Sequence, residues 1–172
     1  IRAVPAGTTV WADASGVGTP MRYFSISEAY LKAEDCDPSL SPSVLQRRVQ
    51  SALIDSVRHH MVADVPVGIF LSSGIDSCAL LGLMRDIGQQ QINSVTVRFE
   101  EYRRKPEDEA PLAAKCAAHY GSRHTIRVVT EQEFRDDLPR IVEAMDQPTT
   151  DGINSWFASK AASELGLKVV IS

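Results

Sequence analysis

The clearest pattern of hydrophobic and polar positions lies between residues 67 and 88. A short apolar run, Val67–Leu71, is followed by the small polar turn Ser72-Ser73-Gly74. Apolar residues then recur at helical spacing and stop before Gly88, a residue suited to the end of a helix. These apolar residues are Ala79, Leu80, Leu83, Met84 and Ile87. The pattern predicts a buried strand, a tight turn and an amphipathic helix.

Strand-like and helix-like segments continue to alternate along the chain. Their β-branched content predicts further strands at 92–99, 124–129 and 168–171. The predicted helices are as follows: from Pro42, with Ser41 as its N-cap, to about 62; from Asp108 to Tyr120; over 131–145, with Pro139 breaking or restarting it; and from about Asn154 to Leu165. This alternation predicts an α/β fold with a doubly wound parallel sheet.

The first part of the chain differs from the rest. Residues 1–25 hold short strand-like pieces separated by turns that contain glycine or proline. Residues 26–42 form a polar connection, which we interpret as a linker that leads to a domain at 43–172. Three short strands cannot bury a core of their own, so we expect residues 1–25 to be poorly ordered or to pack onto the rest.

The composition of the chain argues against some classes of binding partner. The chain is 44% hydrophobic and 23% charged, as globular proteins are, and its net charge of −4 gives no electrostatic reason to expect nucleic-acid binding. No apolar run approaches the ~20 residues that cross a bilayer, and no leader-like segment precedes the first strand, so we expect no membrane contact and a cytoplasmic location. Cys36, Cys78 and Cys116 lack CxxC spacing and are predicted to be reduced, part-buried thiols.

The turn after the first buried strand has the chemistry of an anion site. Ser72-Ser73-Gly74 at the start of a helix presents backbone N–H groups, hydroxyls and the positive end of the helix dipole. We expect Gly74 to adopt a positive φ and to let a ligand approach closely. Asp76 would repel a bound phosphate unless a divalent cation lay between them, so the segment indicates a Mg²⁺-bound polyphosphate. An ordinary turn with Asp76 as the N-cap of the helix remains the structural alternative.

The rest of the predicted sheet supports a nucleotide at this position. The carboxyl ends of the four predicted strands, at Leu71, Phe99, Val129 and Ser172, are expected along one edge of the sheet. Ligands of such sheets bind at that edge, near the point where the strand order reverses. The lysine of a P-loop is absent after Gly74, and the chain has no GxGxxG motif, so neither of those nucleotide sites is predicted.

These residues carry a family resemblance. The segment VPVGIFLSSGIDS resembles the pyrophosphate-binding loop, SGGxDS, of the N-type ATP pyrophosphatases, except that Ser73 stands where the family usually has its first glycine. The stretch from Val57 to Gly68 resembles the glutamine-hydrolysing asparagine synthetases. Weaker similarity of order and spacing extends through Asp108-Glu109, Asp146-Gln147-Pro148 and Ser159-Lys160 to the final strand.

The resemblance implies a fold and a set of site residues. The fold would be of the adenine-nucleotide α-hydrolase-like type, preceded by the last strands of a glutaminase domain. Phe70 or Leu71 and Val97 would touch the adenine and ribose of ATP, and Asp76 would bind Mg²⁺ through the pyrophosphate. The residues implied to hold the pyrophosphate are Ser72, Ser73, Gly74 and Ser77, with Ser172 beginning the next loop. No residue matches a catalytic acid or base.

The activity that the resemblance implies is the ATP-dependent amidation of aspartate. Aspartate would attack ATP to form β-aspartyl-AMP, and ammonia from glutamine, supplied by the N-terminal glutaminase domain, would then displace AMP. Two alternatives stay open from the residues alone: adenylation of another acid, as in β-lactam synthetases, and a nucleotide-binding module without chemistry. Release of pyrophosphate separates the enzymes from the module.

We expect this chain to be a fragment that has neither glutaminase nor synthetase turnover alone. Ile1 stands where a nucleophilic cysteine would begin the glutaminase, and the wall of the ATP site opposite the loop should begin at Ser172. Each missing charge-stabilising donor typically lowers a rate by about 10²–10³-fold. An assay of pyrophosphate with ATP, Mg²⁺, aspartate and ammonia checks this expectation, and sustained aspartate-dependent release would contradict it.

Overall fold

The computed structural model describes residues 3–34, 40–147, 149 and 151–172. The chain divides into two compact units, Ile1–Gln46 and Arg47–Ser172. The boundary falls inside helix α2 (Pro42–His60). This helix begins at the proline that was predicted to start it and ends close to its predicted end.

The first unit contains short antiparallel strands. They are β1 (Thr8–Thr9), β2 (Ala12–Asp13), β3 (Gly16–Val17) and β4 (Met21–Arg22). Strand β1 pairs with β4, and β2 pairs with β3. The short strands and turns predicted for residues 1–25 are therefore confirmed.

The segment interpreted as a polar connection holds a helix, α1 (Ile26–Glu34). The Ser25 hydroxyl accepts a hydrogen bond from the Glu28 N–H at 3.4 Å, and a serine followed three residues later by a glutamate is a helix-start signal. Alanine, leucine and lysine, which favour helices, follow it. The acidic residues that follow this helix in the sequence are typical of a linker, whereas Ser25 and Glu28 carry the helix-start signal. The linker role of 26–42 stays a prediction, and Cys36 lies outside the described residues.

The second unit alternates strands and helices after α2. The elements are β5 (Val67–Phe70), α3 (Ile75–Asp86), β6 (Asn93–Phe99), α4 (Ala110–His119), β7 (Arg123–Val129), α5 (Glu131–Ala144), α6 (Gly152–Glu164) and β8 (Val169–Ile171). The strands form one sheet in the order β7-β6-β5-β8, and each neighbouring pair is parallel. The predicted parallel sheet is confirmed, with strand bounds within one or two residues of those expected.

Helices cover both faces of this sheet, so the doubly wound α/β class is also confirmed. On one face, Ile69 of β5 and Ile92 pack with Leu81 and Met84 of α3 and with the small residue Ala113 of α4. On the other face, Val129 at the end of β7 packs with Ile141 of α5 and Phe157 of α6. Because both sides of the strands are buried, the strands read as nearly continuous apolar runs.

Glycine ends three of the helices, and the sequence predicted this for Gly88. Gly88, Gly121 and Gly166 have φ of 93°, 64° and 71°, in or near the left-handed region that favours glycine. At the end of α3, the Gly88 and Gln89 N–H groups donate to the carbonyls of Arg85 and Met84, which gives the last turn hydrogen-bond partners. These stops set the length of each crossover between strands.

Pro139 does not break α5, contrary to expectation. The helix runs through it from Glu131 to Ala144. Proline removes one backbone hydrogen bond, but Pro139 lies on the exposed side of the helix, where water can satisfy the carbonyl that lost its partner. The buried contacts of Ile141 hold the following turn in place.

A charged cluster joins β7, α5 and α6. The Arg127 guanidinium donates to Glu133, and also to Glu164 at 2.9 Å. Lys160 Nζ donates to Glu133 and Asp137, both at 2.6 Å. The hydrogen bonds from Arg127 are the main reason that the pKa of Glu133 is lowered. Since Glu133 accepts bonds from both cations, it is the centre of this cluster.

No helix among the described residues is both long and apolar enough to cross a membrane. The thiols of Cys78 and Cys116 are unpaired and half-buried, as predicted. Burial, with Cys78 nearby, raises the pKa of Cys116 to about 12, so this thiol stays protonated at neutral pH.

Glu133→Gln should lower the free energy of unfolding by about 1–3 kcal/mol, because it removes the negative charge and one of the two acceptor oxygens that two part-buried cations share. Glu131→Gln is the matched control, since Glu131 forms an exposed pair with Arg135 and should change stability by less than about 1 kcal/mol. Urea unfolding of both variants measures the difference.

The difference in stability between the unaltered protein and Glu133→Gln should depend on pH. A carboxyl whose folded-state pKa is lowered adds stability above its ordinary value of 4.5 and loses it as the pH falls through the folded-state value. The stability gap between the unaltered protein and Glu133→Gln should therefore narrow as the pH falls below about 4.5. A gap that stays constant or widens over this range would contradict the role given to Glu133.

Candidate functional site

A cavity of about 680 Å³ lies at the carboxyl edge of the sheet. It is bounded by the ends of β5 and β6, the start of α3, the segment before α4, and Ser172. The residues predicted for the ATP site that line it are Phe70, Leu71, Ser72, Asp76, Ser77, Val97 and Ser172. Ser73 and Gly74 belong to the same turn but do not line the cavity. The structure therefore brings most of the predicted set together.

The turn is held by hydrogen bonds among its own serines. The Ser72 and Ser77 hydroxyls lie 2.9 Å apart, and the Ser72 N–H donates to Ser77 Oγ at 3.2 Å. The Gly74 N–H donates to Ser72 Oγ at 3.0 Å, and Ser77 Oγ donates to the Gly74 carbonyl at 3.1 Å. Because Ser72 follows the strand and Ser77 stands in the first turn of the helix, these bonds join the end of the strand to the start of the helix.

Gly74 does not have the positive φ that was expected. Its φ is −70° and its ψ is 150°, which any residue can adopt. A side chain at this position would place its Cβ 3.1 Å from Ser72 Oγ, which is tighter than an ordinary contact. The requirement for glycine is therefore one of space, because the Gly74 N–H and the Ser72 hydroxyl approach each other closely. Ser73 also lacks a positive φ, so serine fits where the related loops have glycine.

The start of α3 has backbone donors that no side chain caps. Its N-cap is Gly74, which has no side chain to accept a bond, whereas the N-cap of α5, Thr130, accepts from the Glu133 N–H. Asp76 is the second residue of α3 and not its N-cap, so the structural alternative for Asp76 is wrong. Uncapped N–H groups and the helix dipole at the cavity favour an anion.

The neighbouring strand fixes where the turn begins. The Leu71 N–H donates to the Val95 carbonyl at 2.9 Å, and the Thr96 hydroxyl donates to the Leu71 carbonyl. Phe70 and Val97 give this part of the cavity an apolar wall beside the polar turn. Such a site suits a ligand with an apolar or aromatic end and an anionic end.

Among the cavity residues that sequence reasoning missed is a charged pair, Arg98 and Asp108. The Asp108 side chain is only 4% exposed, and its oxygens accept from the N–H groups of Arg104 and Ala110 at 3.2 Å each. Arg98 Nη1 lies 3.8 Å from Asp108 Oδ2. One signal in the sequence could have revealed Arg98: it stands one residue before the end of a buried strand, where an apolar residue is usual. The basic run at 103–105 is exposed, as expected of a solvated loop.

Comparison with known proteins identifies the family to which this chain belongs. The model of the family described as asparagine synthase matches residues 48–172. Asparagine synthetase [glutamine-hydrolyzing] 1 of Bacillus subtilis is 32% identical over 80% of this chain and 21% of its own length. A putative asparagine synthetase [glutamine-hydrolyzing] of Mycobacterium bovis is 38% identical over 72% of this chain and 19% of its own length. The chain thus spans about a fifth of these relatives.

A solved structure shows a weaker likeness. It is an NH3-dependent NAD synthetase from Campylobacter jejuni in complex with nitrate ion, with a TM-score of 0.48 and 16% identity. The match covers 73% of this chain and 55% of that one.

The space requirement at Gly74 can be tested by a double-mutant cycle. Gly74→Ala should lower the free energy of unfolding by about 1 kcal/mol, because alanine is a poor N-cap and its Cβ crowds Ser72 Oγ. Ser72→Ala removes the crowded hydroxyl, so the double variant should be more stable than the sum of the two single effects predicts. Thermal unfolding of the four proteins measures this. Strictly additive effects would show that the two residues do not interact.

Proposed function

Because the chain belongs to the asparagine synthase family, we propose that it provides the ATP-binding half of a glutamine-hydrolysing asparagine synthetase. The observation that carries the proposal is the cavity at the carboxyl edge of the sheet, where the uncapped start of α3 meets an apolar wall. The whole enzyme would be a ligase that converts aspartate to asparagine in the cytoplasm. Its substrates would be ATP, aspartate and ammonia derived from glutamine.

The cavity fits a nucleotide in size and in chemistry. Its volume of about 680 Å³ is within the range of pockets that bury small ligands. Phe70, Leu71 and Val97 would contact the adenine and ribose. The turn and the first residues of α3 would hold the pyrophosphate: Ser72, Ser73, Gly74 and Ser77. Ser172 directly follows β8, the strand paired with β5, and would line the cavity beside them.

The residues present also fit Mg²⁺. Asp76 lines the cavity, is exposed, and stands in the first turn of α3 next to the uncapped N–H groups. Mg²⁺ is usually bound by one or two carboxylates together with phosphate oxygens and water, so a single carboxylate at this position suffices. When bound, the ion would neutralise charge on the polyphosphate. Without it, Asp76 would repel the ligand that the helix start attracts.

In the proposed reaction, a carboxylate oxygen of aspartate attacks the α-phosphorus of ATP. The bond to pyrophosphate breaks, β-aspartyl-AMP forms, and ammonia then displaces AMP to give the amide. The contribution of this chain is to stabilise charge on the departing pyrophosphate through backbone N–H groups and hydroxyls that are already in position. Each such donor is typically worth about 10²–10³-fold in rate. The hydrogen bonds between Ser72 and Ser77 keep these groups in place before the ligand binds.

The first unit would connect this half to the source of ammonia. We propose that its short strands, β1 to β4, are the last strands of an N-terminal glutaminase domain, which would be the partner of the synthetase domain within one protein. No nucleic-acid or membrane partner is proposed.

Asp76→Asn tests the site directly. The unaltered chain should bind ATP more tightly with Mg²⁺ than without it, and the variant should lose about tenfold to a hundredfold in affinity with Mg²⁺ present. Without Mg²⁺ the variant should bind equally well or better, because the repulsion is gone. Asp86→Asn, at the other end of α3, is the matched control. Calorimetric titration in both conditions measures the four affinities.

Two results would count against the proposal. Absence of ATP binding by the unaltered chain would show that the cavity is not a nucleotide site. Unchanged affinity of Asp76→Asn together with a melting temperature several degrees lower would make Asp76 a structural residue of α3.

A further inference from the structure

Arg98, near the end of β6, is a mostly buried cation with hydrogen-bonding capacity to spare. Its side chain is 20% exposed, and within the described part of the chain its buried Nε has no hydrogen-bond partner. The carboxylate of Asp108 lies 3.8 Å from Nη1, which is an ion-pair distance but too long for a hydrogen bond. Buried polar groups nearly always find an acceptor, so an acceptor for Arg98 is to be expected.

Asp108 is poorly placed to be that acceptor. Its two carboxylate oxygens already receive the N–H groups of Ala110 and Arg104, and these bonds tie the start of α4 to the preceding loop. Asp108 therefore balances the charge of Arg98 while most of the five guanidinium donors stay available. A cation held in this way is suited to an anionic ligand, because it is already desolvated and fixed in place.

The position of Arg98 points to the polyphosphate end of the cavity. In the parallel pairing of β5 with β6, Phe70 lies opposite Val95. Arg98 lies three residues further along β6, one residue before that strand ends, whereas β5 has already given way to the turn. Its side chain alternates with Val97 and so emerges on the face of the sheet that also carries Ile92 and the helices α3 and α4. Arg98 lines the same cavity as Ser72 and Ser77.

We propose that Arg98 binds a phosphate oxygen of the polyphosphate whose other oxygens are held by the start of α3. This inference rests on the proposed function, because it assigns a further residue to the same nucleotide site. The planar guanidinium matches two oxygens of one phosphate, and charge-assisted bonds of this kind are about twice as strong as neutral ones. Arg98 would supply a positive side-chain charge to a ligand that the Asp76 carboxylate alone would repel.

Arg98→Gln separates this role from a contact with the nucleoside. Calorimetric titrations with three probes are compared: Mg²⁺-ATP, Mg²⁺-tripolyphosphate and adenosine. Affinity for ATP and for tripolyphosphate should each fall by about tenfold to a hundredfold, while affinity for adenosine stays unchanged. Arg103→Gln is the control, because Arg103 is exposed, pairs with Glu100 and is not among the residues that line the cavity.

A second variant covers the case in which Arg98→Gln does not fold, since it leaves the buried Asp108 carboxylate without its cation. The neutral pair Arg98→Gln with Asp108→Asn is then compared with Asp108→Asn alone, and the same selective loss of phosphate binding is expected. Equal polyphosphate affinity in the compared proteins would overturn the role of Arg98, as would an equal loss for adenosine. If the unaltered chain binds neither ATP nor tripolyphosphate, the proposed nucleotide site fails first, and the role of Arg98 fails with it.

Discussion

The parallel pairing of β5 with β6 is the constraint on which the rest of the site depends. It sets Phe70 opposite Val95, and two further bonds, from the Leu71 N–H and from the Thr96 hydroxyl, extend the attachment to the last residue before the turn. The chain therefore leaves the sheet at one defined point. A slip of one residue would turn Ile69 away from α3 to the opposite face of the sheet and move the serines away from the cavity.

Packing carries this constraint from the strand to the helix. Ile69 and Leu71 are almost completely buried under α3, where Leu81 and Met84 meet them. Because these contacts fix the axis of α3, its uncapped start must lie at the carboxyl edge of the sheet. The bonds between Ser72 and Ser77 then close the short turn. The proposed anion site would thus be formed mainly by backbone, which is why small residues would be sufficient for it.

The charges around the cavity explain why a helix start alone would not be enough to bind a polyphosphate there. Asp76, Glu107 and Glu109 line it, and Asp108 is already engaged with Arg98 and with backbone N–H groups. A polyphosphate would meet more negative than positive side-chain charge there. A divalent cation at Asp76 would offset part of that negative charge, and a direct contact from Arg98 would add a positive one. The two proposals are therefore complementary, and the role of Arg98 depends on the nucleotide site.

The sequence by itself determined the order of strands and helices, the glycine stops and the residues of the turn, because these depend on periodicity and on local backbone preference. The sequence wrongly predicted a positive φ at Gly74 and a break in α5 at Pro139. It also missed the helix in residues 26–34. Only the tertiary structure placed Arg98 beside Asp108 and both beside the turn. These residues are far apart from the turn in sequence, and only the register of parallel strands and the burial of their surroundings bring them together.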